Sequence, residues 1–371
     1  MKNKIKLALI CGARPNFMKI APLMFAIDKH NHDKNNLKKI EPMLVHTGQH
    51  YDIQMSEAFF RDLNIPKPDF NLEVGSGSHA VQTAEIMIRF EKICLQEKPD
   101  WIIVVGDVNS TMACTIVASK LWIKVAHVEA GLRSFDRQMP EEINRLVTDA
   151  LADLLLTPSK DADKNLLREG VPKNKIKFVG NIMIDTLLKH VEKARKLRPN
   201  TKYALKEKQY IFVTLHRPSN VDDKKSLTMI MKHLTALSRK MPVVFPMHPR
   251  TKKNLIAFGL QERINKAKGM IITDPIGYHE TIGLVDKSAF VLTDSGGLQE
   301  ETTVLGIPCL TLRQNTERPV TIIRGTNKLT SIDTLETDLE MLFSGKHKKG
   351  RIPDLWDGHT AERIVSIIVN H

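Results

Sequence analysis

Short apolar runs alternate with amphipathic stretches along almost the whole chain. In residues 17–29 the apolar positions recur at 17, 20, 21, 24 and 27, which is the spacing of one face of a helix. Similar helical patterns cover residues 81–96, 111–120 and 227–240. The apolar runs between them predict strands at 6–11, 43–47, 101–105, 125–128, 154–157, 177–179, 210–215, 243–247, 270–273, 290–293 and 309–312. This alternation predicts parallel sheets that carry helices on both faces.

The pattern is interrupted once, near the middle of the chain. A helical stretch leads into Arg198-Pro199-Asn200 and a basic, weakly patterned segment, after which a new strand begins at Tyr210. A chain of 371 residues is long enough for two domains of ordinary size. We therefore predict two doubly wound α/β domains, residues 1–180 and 181–356, with a cleft between them. The last amphipathic pattern, within residues 357–371, could pack on either domain.

The formal net charge of +13 indicates an anionic partner. Nucleic acid is the first candidate, but the basic residues are spread along the chain. The clusters at 193–208 and 346–351 also contain little aromatic interleaving. A small molecule that carries phosphate explains the charge at least as well, so we expect no nucleic-acid partner.

The cysteines indicate a reducing compartment. Cys11, Cys94, Cys114 and Cys309 are far apart and lie in apolar contexts, which favours buried free thiols over disulfides or a zinc site. No stretch approaches the roughly 20 apolar residues of a membrane span. We therefore expect a cytoplasmic protein with no membrane association.

A first candidate site follows the first predicted strand. Gly12 opens a turn before a helix, where backbone N–H groups and the helix dipole favour an anion. Arg14 and Lys19 add positive charge to this turn. The segment matches neither a P-loop nor a dinucleotide fingerprint, and an ordinary strand–helix turn with a surface arginine would have the same pattern.

Carboxylates follow the next two predicted strands of this domain. Asp107 follows the strand 101–105, and Glu129 follows the strand 125–128 in the segment HVEAGLRS. Glu141 and Glu142 come shortly afterwards in MPEEINR, where first-turn acids favoured by a helix dipole are the plainer interpretation. Acids at the carboxyl ends of strands stand where α/β folds bind ligands. Two such acids can serve as proton donor and acceptor.

The second half of the chain contains strand-end residues of a different kind. His216 follows the strand 210–215, and His248 occupies a similar place with weaker support. In Thr293-Asp294-Ser295-Gly296-Gly297, small residues join a strand to a helix, so that backbone can approach a phosphate and Ser295 can donate to it. Glu301, about one helical turn into that helix, could accept both hydroxyls of a ribose, and Arg318 is a further strand-end cation.

A metal site is not expected. Asp161 and Asp163 could suggest the paired acids of a metal-dependent glycosyltransferase. Both lie inside a predicted helix, on which side chains two positions apart diverge by roughly 200°. A solvated helix face is the simpler interpretation.

These motifs, in this order, resemble the non-hydrolysing UDP-N-acetylglucosamine 2-epimerase family over nearly the whole chain. The resemblance implies the GT-B fold, with two Rossmann-like domains, the active site in the interdomain cleft, and a last helix that returns to the first domain. It implies interconversion of UDP-N-acetylglucosamine and UDP-N-acetylmannosamine, the latter a precursor of surface polysaccharide. It further implies a homodimer that uses no cofactor, neither nicotinamide nor metal.

The resemblance also implies roles for individual residues. Asp107, Glu129 and Glu141 are the expected acid/base groups, and His216 contacts the nucleotide or assists its departure. The uracil is expected near Thr281, and the ribose at Glu301. The expected diphosphate ligands are Arg14, Lys19, Ser295, Gly296, Gly297 and Arg318.

Two departures from the family pattern bear on the substrate. Pro218-Ser219-Asn220 replaces the Arg-Glu-Asn of many members. The stretch 47–56 differs from members that need a second, regulatory substrate molecule, so we predict no such requirement. Its form is similar to relatives acting on UDP-2,3-diacetamido-glucuronic acid, which stays open as a second substrate. The activities of a GT-B glycosyltransferase and of a hydrolysing epimerase also stay open.

Overall fold

The computed structural model describes residues 4–48, 63 and 65–371. The chain divides into two compact units. The first comprises the described residues up to Thr186 together with Asp354–His371, and the second comprises Leu187–Pro353.

The first unit is built on a parallel sheet of seven strands in the order β3-β2-β1-β4-β5-β6-β7 among the described residues. The order reverses beside β1, because β2 lies on one side of it and β4 on the other. Its strands are β1 (Lys4–Cys11), β2 (Lys39–His46), β3 (Phe70–Asn71), β4 (Trp101–Val105), β5 (Lys124–Val128), β6 (Leu154–Thr157) and β7 (Ile176–Phe178).

Helices connect these strands and cover the sheet. They are α1 (Arg14–His32), α2 (His79–Glu97), α3 (Asn109–Lys120), α4 (Pro140–Leu151) and α5 (Lys160–Arg168), with a 3₁₀ turn at Lys173–Lys175. A further helix, α6 (Ile182–Leu197), begins in this unit and continues into the second. The apolar residues that the strand and helix patterns predict form the core: Ile102 and Val104 of β4, for example, pack with Phe90 of α2 and Cys114 of α3. Right-handed strand–helix–strand crossovers of this kind produce a sheet buried on both faces.

The last helix, α16 (Thr360–Asn370), packs within the first unit against α1. The backbone N–H groups of Thr360 and Ala361 donate to Asp185, at 3.1 and 2.7 Å. Lys38 Nζ donates to the carbonyl oxygen of Val369, 2.7 Å away. Asp185 thus satisfies two of the N–H groups that the first turn of a helix leaves without an internal partner.

The second unit repeats the architecture with six parallel strands in the order β10-β9-β8-β11-β12-β13. The order reverses between β8 and β11. The strands are β8 (Ile211–Thr214), β9 (Val243–Pro246), β10 (Met270–Thr273), β11 (Phe290–Thr293), β12 (Cys309–Leu312) and β13 (Asn327–Thr330). The helices are α7 (Pro199–Lys202), α8 (Pro218–Val221), α9 (Lys224–Leu237), α10 (Pro249–Ala257), α11 (Gln261–Asn265), α12 (Tyr278–Lys287), α13 (Gly296–Leu305), α14 (Pro319–Ile323) and α15 (Leu335–Phe343).

Alternate residues of β8 explain why its sequence is continuously apolar. Ile211 and Val213 belong to the core on one face of the sheet. Tyr210, just before the strand, and Phe212 belong to the core on the opposite face. Because side chains alternate along a strand, a run without polar positions indicates burial on both faces.

The structure confirms the predicted fold class and all eleven predicted strands; five have the predicted bounds, and the ends of the other six shift by at most four residues. The sequence missed β3 and β13, which are short or polar. The four cysteines are buried and free, as predicted. Among the described residues, no helix is both long and apolar enough to traverse a bilayer.

The predicted solvated face of α5 is wrong. Asp163 accepts a hydrogen bond from Thr157 Oγ1 at 2.5 Å. One carboxylate oxygen of Asp161 is enclosed by protein, and burial raises the pKa of this carboxyl group. α5 packs on β6 and β7, and this packing partly covers its first turn, which contains Asp161 and Asp163.

Candidate active site

The acids of the first unit leave neighbouring strands. In the parallel register of β4 and β5, Val105 lies opposite Val128, and the N–H of Gly106 donates to the carbonyl oxygen of Val128 at 3.1 Å. Asp107 and Glu129 therefore emerge side by side at the carboxyl edge of the sheet. This edge, near the point where the strand order reverses, is where open α/β sheets bind ligands.

Glu129 is held in an unusual backbone conformation. Its φ is +71°, a region that costs a residue other than glycine on the order of 1–3 kcal/mol. The N–H groups of Glu129 and Ala130 both donate to the carbonyl oxygen of Leu156, at 3.1 and 3.3 Å. The next turn of chain is fixed by Gly131, where an added Cβ would lie 2.5 Å from the carbonyl oxygen of Ala162. The surrounding structure thus determines where this acid lies.

The Glu129 carboxylate is buried, with 5% of the residue exposed. Oε2 forms an ion pair with Lys19 Nζ of α1, and among the described residues Oε1 has no hydrogen-bond partner. Gly106 packs against this pair, since an added Cβ there would lie 2.7 Å from Lys19 Nζ. A buried carboxylate oxygen without a partner is costly, which is consistent with a position that awaits a substrate.

Asp107 is held by two residues of α4. Arg145 donates to Asp107 Oδ2 through Nε at 3.1 Å and Nη2 at 2.8 Å. Asn144 Nδ2 donates to the backbone carbonyl of Asp107 at 2.9 Å. The third nitrogen of Arg145, Nη1, pairs with Glu142. α4 therefore fixes both the side chain and the backbone of this acid.

Glu142 and Glu141, which are adjacent in α4, have different environments. Glu142 is buried and accepts the N–H groups of Ser134 and Phe135, at 2.9 and 3.0 Å, so it ties down the loop after Glu129. Glu141 is exposed in the first turn of the helix. The helix-dipole interpretation accounts for neither the burial nor the loop contacts of Glu142.

The turn after β1 is organised by a residue that the sequence did not single out. Asn16 Oδ1 accepts the N–H groups of Gly12 and Ala13, at 3.1 and 2.9 Å. Its Nδ2 donates to the carbonyl oxygen of Val105, 3.0 Å away. Asn16 thereby joins the ends of β1 and β4. Arg14 is the first residue of α1, and its side chain lies outside the described part of the structure.

In the second unit, Asp294 supports His216. The carboxylate of Asp294 is fully buried and lies 2.9 Å from His216 Nδ1. It also accepts the backbone N–H of Arg217 at 2.8 Å and the Asn220 amide at 3.0 Å. Burial acts to raise the pKa of Asp294, but His216 and these donors outweigh it, and the pKa is lowered.

Arg318 lies beside the glycine turn that joins β11 to α13. An added Cβ at Gly296 would lie 2.7 Å from Arg318 Nη1. Arg318 Nε is 2.9 Å from Glu300 Oε1, and Nη1 pairs with Glu317. Ser295, Gly296 and Gly297 thus form a helix start beside a guanidinium, which is suited to a phosphate.

Glu301 is enclosed near this turn. Tyr278 donates its hydroxyl hydrogen to Glu301 Oε1 at 3.1 Å. Burial raises the pKa of Glu301 to about 8, against the lowering effect of the Tyr278 hydrogen bond. Thr281, three residues along α12 from Tyr278, donates its hydroxyl to the carbonyl oxygen of Gly277 at 3.0 Å.

The structure thus groups Lys19, Asp107 and Glu129 in the first unit, and Ser295, Gly296 and Arg318 in the second. Sequence reasoning assigned no role to the residues that hold these groups: Asn16, Arg145, Asp294, Glu300 and Glu317. A signal was available for Asp294, a strand-end acid directly before the small-residue turn. The stretch 49–56 lies outside the described residues, and those that are described contain no metal-binding cluster of three or more His, Cys, Asp or Glu.

Known proteins resemble this chain over nearly its full length. A family model described as UDP-N-acetylglucosamine 2-epimerase matches residues 32–369. The UDP-N-acetylglucosamine 2-epimerase of Methanocaldococcus jannaschii is 42% identical over 375 residues, covering 98% of this chain and 99% of the relative. A UDP-2,3-diacetamido-2,3-dideoxy-D-glucuronate 2-epimerase of Pseudomonas aeruginosa is 40% identical over 329 residues, covering 88% of each.

A solved structure agrees with the fold. The crystal structure of the Methanocaldococcus jannaschii enzyme in complex with UDP-GlcNAc and UDP superposes with a TM-score of 0.89 at 41% identity, covering 99% of this chain and 100% of the other. The sheet-edge acids, the glycine turn and this match along the whole chain have one explanation: the chain belongs to the UDP-N-acetylglucosamine 2-epimerase family.

Proposed function

We propose that this chain interconverts UDP-N-acetylglucosamine and UDP-N-acetylmannosamine by inverting C2 of the hexosamine. The observation that carries the proposal is the buried Glu129 carboxylate, with one oxygen paired to Lys19 and the other without a partner among the described residues. It lies beside Asp107 at a ligand-binding sheet edge. A reaction that moves a proton can use such a carboxylate as its general acid or base.

The chemistry begins at C1 because the C2 proton of an N-acetylhexosamine is scarcely acidic. The C1–O bond breaks, and its electron pair leaves on the β-phosphate oxygen of UDP. The C2–H electrons form the C1=C2 double bond of 2-acetamidoglucal, and a carboxylate takes the proton. In the return step a proton is delivered to the opposite face of C2, and the UDP oxygen bonds again to C1.

In the first unit, the acid/base work is assigned to Asp107, Glu129 and Glu141. Inversion needs a proton donor and a proton acceptor on opposite faces of C2, so more than one carboxylate is required. Arg14 and Lys19 are assigned to the departing diphosphate. The proposal includes no metal ion and no nicotinamide.

In the second unit, the nucleotide is assigned to the turn after β11 and its neighbours. Ser295, Gly296 and Gly297 offer backbone and hydroxyl donors, and Arg318 adds a cation beside them. Glu301 is assigned to the ribose, the segment near Thr281 to the uracil, and His216 to the departing diphosphate. Supply of a surface-polysaccharide precursor in the cytoplasm, by a homodimer, completes the proposal.

A second substrate is favoured by one comparison. The Pseudomonas aeruginosa relative named for UDP-2,3-diacetamido-2,3-dideoxy-D-glucuronate is 40% identical, close to the 42% of the Methanocaldococcus jannaschii relative. The same elimination and re-addition would invert C2 of that sugar. The two candidates differ in the 3-acetamido and carboxylate groups of the hexose.

Proton NMR of the purified protein in D₂O tests the proposal. With UDP-N-acetylglucosamine, we expect a UDP-N-acetylmannosamine anomeric signal, deuterium at C2, and UDP attached to both sugars at equilibrium. Free N-acetylmannosamine with free UDP would instead indicate a hydrolysing enzyme. Turnover of only the diacetamido-uronic acid nucleotide would move the assignment to the second substrate, and turnover of neither would refute epimerisation.

A further inference from the structure

His127 is a buried histidine whose two ring nitrogens both face oxygen atoms. It lies in β5 and is 0% exposed. Nδ1 is 2.6 Å from Asp149 Oδ1, and Nε2 is 2.8 Å from the carbonyl oxygen of Gly106. A carbonyl oxygen only accepts hydrogen bonds, so Nε2 carries a proton.

The contacts of Asp149 indicate that Nδ1 carries a proton as well. Asp149 Oδ2 accepts the N–H of Gly131 at 3.0 Å and lies 2.7 Å from Arg133 Nη1. The Arg133 guanidinium and the Gly131 N–H favour the ionised form of Asp149 independently of His127. An ionised carboxylate opposite Nδ1 requires a donor there, and a ring with two N–H groups is an imidazolium.

The two oxygen contacts connect this pair to the two predicted acids. The carbonyl of Gly106 belongs to the peptide group that leads into Asp107, so Nε2 fixes the plane of that peptide. The N–H of Gly131 belongs to the peptide two positions after Glu129, and Asp149 fixes it. The buried His127–Asp149 pair therefore contacts both the Gly106–Asp107 peptide and the loop after Glu129.

The helix that contributes Asp149 also makes the other contacts to Asp107. Asn144 and Arg145 of α4 bind its backbone carbonyl and its carboxylate. Asp149 lies just over one turn further along the same helix. α4 thus holds Asp107 directly, and through His127 it also holds the peptide before it.

We propose that His127 and Asp149 form a buried, charged positioning pair, which sets the Gly106–Asp107 peptide and the loop after Glu129 in their productive arrangement. The inference rests on the proposed function, in which Asp107 and Glu129 move the C2 protons. His127 itself, enclosed beneath the loops, is a positioning residue and not a catalytic one.

Two substitutions of His127 separate its contacts. In His127→Gln the amide reaches the former Nε2 position and can donate to Gly106. In His127→Asn the amide reaches the former Nδ1 position. It therefore keeps the hydrogen bond to Asp149 but leaves the Gly106 carbonyl oxygen without its donor. Both remove the imidazolium charge, so each is the control for the other.

We expect His127→Asn to lower kcat for C2 inversion by about 10- to 100-fold, the usual effect of losing a hydrogen bond to a charged group. His127→Gln should keep most of kcat. KM should stay within about twofold in both, because neither variant alters a residue assigned to the nucleotide. Urea unfolding should show similar losses of stability in the two variants. Equal kcat values at equal folded fractions would reduce His127 to a structural role and overturn the proposal.

Two further measurements do not depend on turnover. Nitrogen-15 NMR at the pH of the assay should show both His127 ring nitrogens protonated, and an unprotonated Nδ1 would overturn the charged pair. Crystal structures should show the Gly106–Asp107 peptide displaced in His127→Asn and retained in His127→Gln, and an unmoved peptide in both would overturn the positioning role. A wild-type enzyme that gives these results without epimerising UDP-N-acetylglucosamine would refute only the proposed function.

Discussion

The two sheet edges that we assign to the active site use charge in opposite ways. In the first unit the group at the sheet edge is an acid, and cations hold it: Lys19 holds Glu129, and Arg145 holds Asp107. In the second unit the group is basic, and buried acids hold it: Asp294 holds His216, and Glu300 and Glu317 hold Arg318. Both edges lie where the strand order reverses.

The difference shows how one architecture can serve two chemical tasks. A proton-transfer group must be an acid or base with a fixed direction, whereas a diphosphate needs positive charge and backbone donors. In each unit the supporting residue carries a charge opposite to that of the residue at the sheet edge. This opposite charge offsets the cost of burying the ion pair. Substitutions that change one member of a pair should therefore have different effects in the two units.

The largest effect is expected from the acids of the first unit. Glu129→Gln and Asp107→Asn should each lower kcat by about 10²- to 10⁴-fold, because an amide cannot take up a proton. UDP affinity should change less than kcat, since most of the groups assigned to UDP lie in the second unit and only Arg14 and Lys19 lie in the first. Glu91→Gln, an exposed acid of α2, is the matched control. Deuterium entry at C2 measures the effect, and near-normal entry in both variants would remove these acids from the mechanism.

A smaller effect is expected from the acid that supports His216. Asp294→Asn keeps the shape of the side chain but loses the charge opposite Nδ1, so kcat should fall by about 10- to 100-fold. Asp274→Asn, an exposed strand-end acid in the same unit, serves as control. Steady-state kinetics with thermal unfolding separates activity from folding. Unchanged kcat would mean that Asp294 only stabilises the unit.

Arg318→Lys should weaken UDP binding by about tenfold, because an ammonium cannot reproduce the planar contacts of a guanidinium. The lysine keeps a positive charge beside Glu300 and Glu317, so the stability of the fold should change little. Titration calorimetry with UDP measures the change, against the exposed Arg239→Lys as control. Equal affinities in the two variants would argue that the diphosphate binds elsewhere.

The remaining prediction concerns the pH dependence of stability rather than activity. Burial raises the pKa of Glu301 from 4.5 to about 8, so between these values the folded chain keeps a proton that the unfolded chain has lost. Stability should therefore fall as pH rises through this window, by about 1.4 kcal/mol per pH unit for one proton. Glu301→Gln should remove this slope in urea unfolding at a series of pH values. A parallel slope in the variant would contradict the buried, protonated carboxyl.

The sequence predicted most of the fold because both sheets are buried on two faces. Continuous apolar runs such as 101–105 and 290–293 are visible without any alignment. β13 was missed because Asn327-Lys328-Leu329-Thr330 has no such run. The buried Asn327 forms hydrogen bonds with Gln299, Thr311 and Thr321. These partners come from other elements, so the local sequence does not show that the strand is buried.

The site was predictable in part for a related reason. Residues that leave strands at a glycine turn, such as Glu129 and Ser295, are marked by local sequence. Those that hold them come from other elements: Lys19 is 110 residues from Glu129, and Asp294 is 78 residues from the backbone N–H of His216. Only the folded chain shows that Lys19, predicted as a diphosphate ligand, is paired with the acid.

The glycines around the acids have a consequence for protein engineering. A side chain at Gly106 would strike Lys19, and one at Gly131 would strike the carbonyl of Ala162. Both positions also have positive φ, at 69° and 78°. A library that seeks a new sugar specificity should therefore leave these two codons unvaried.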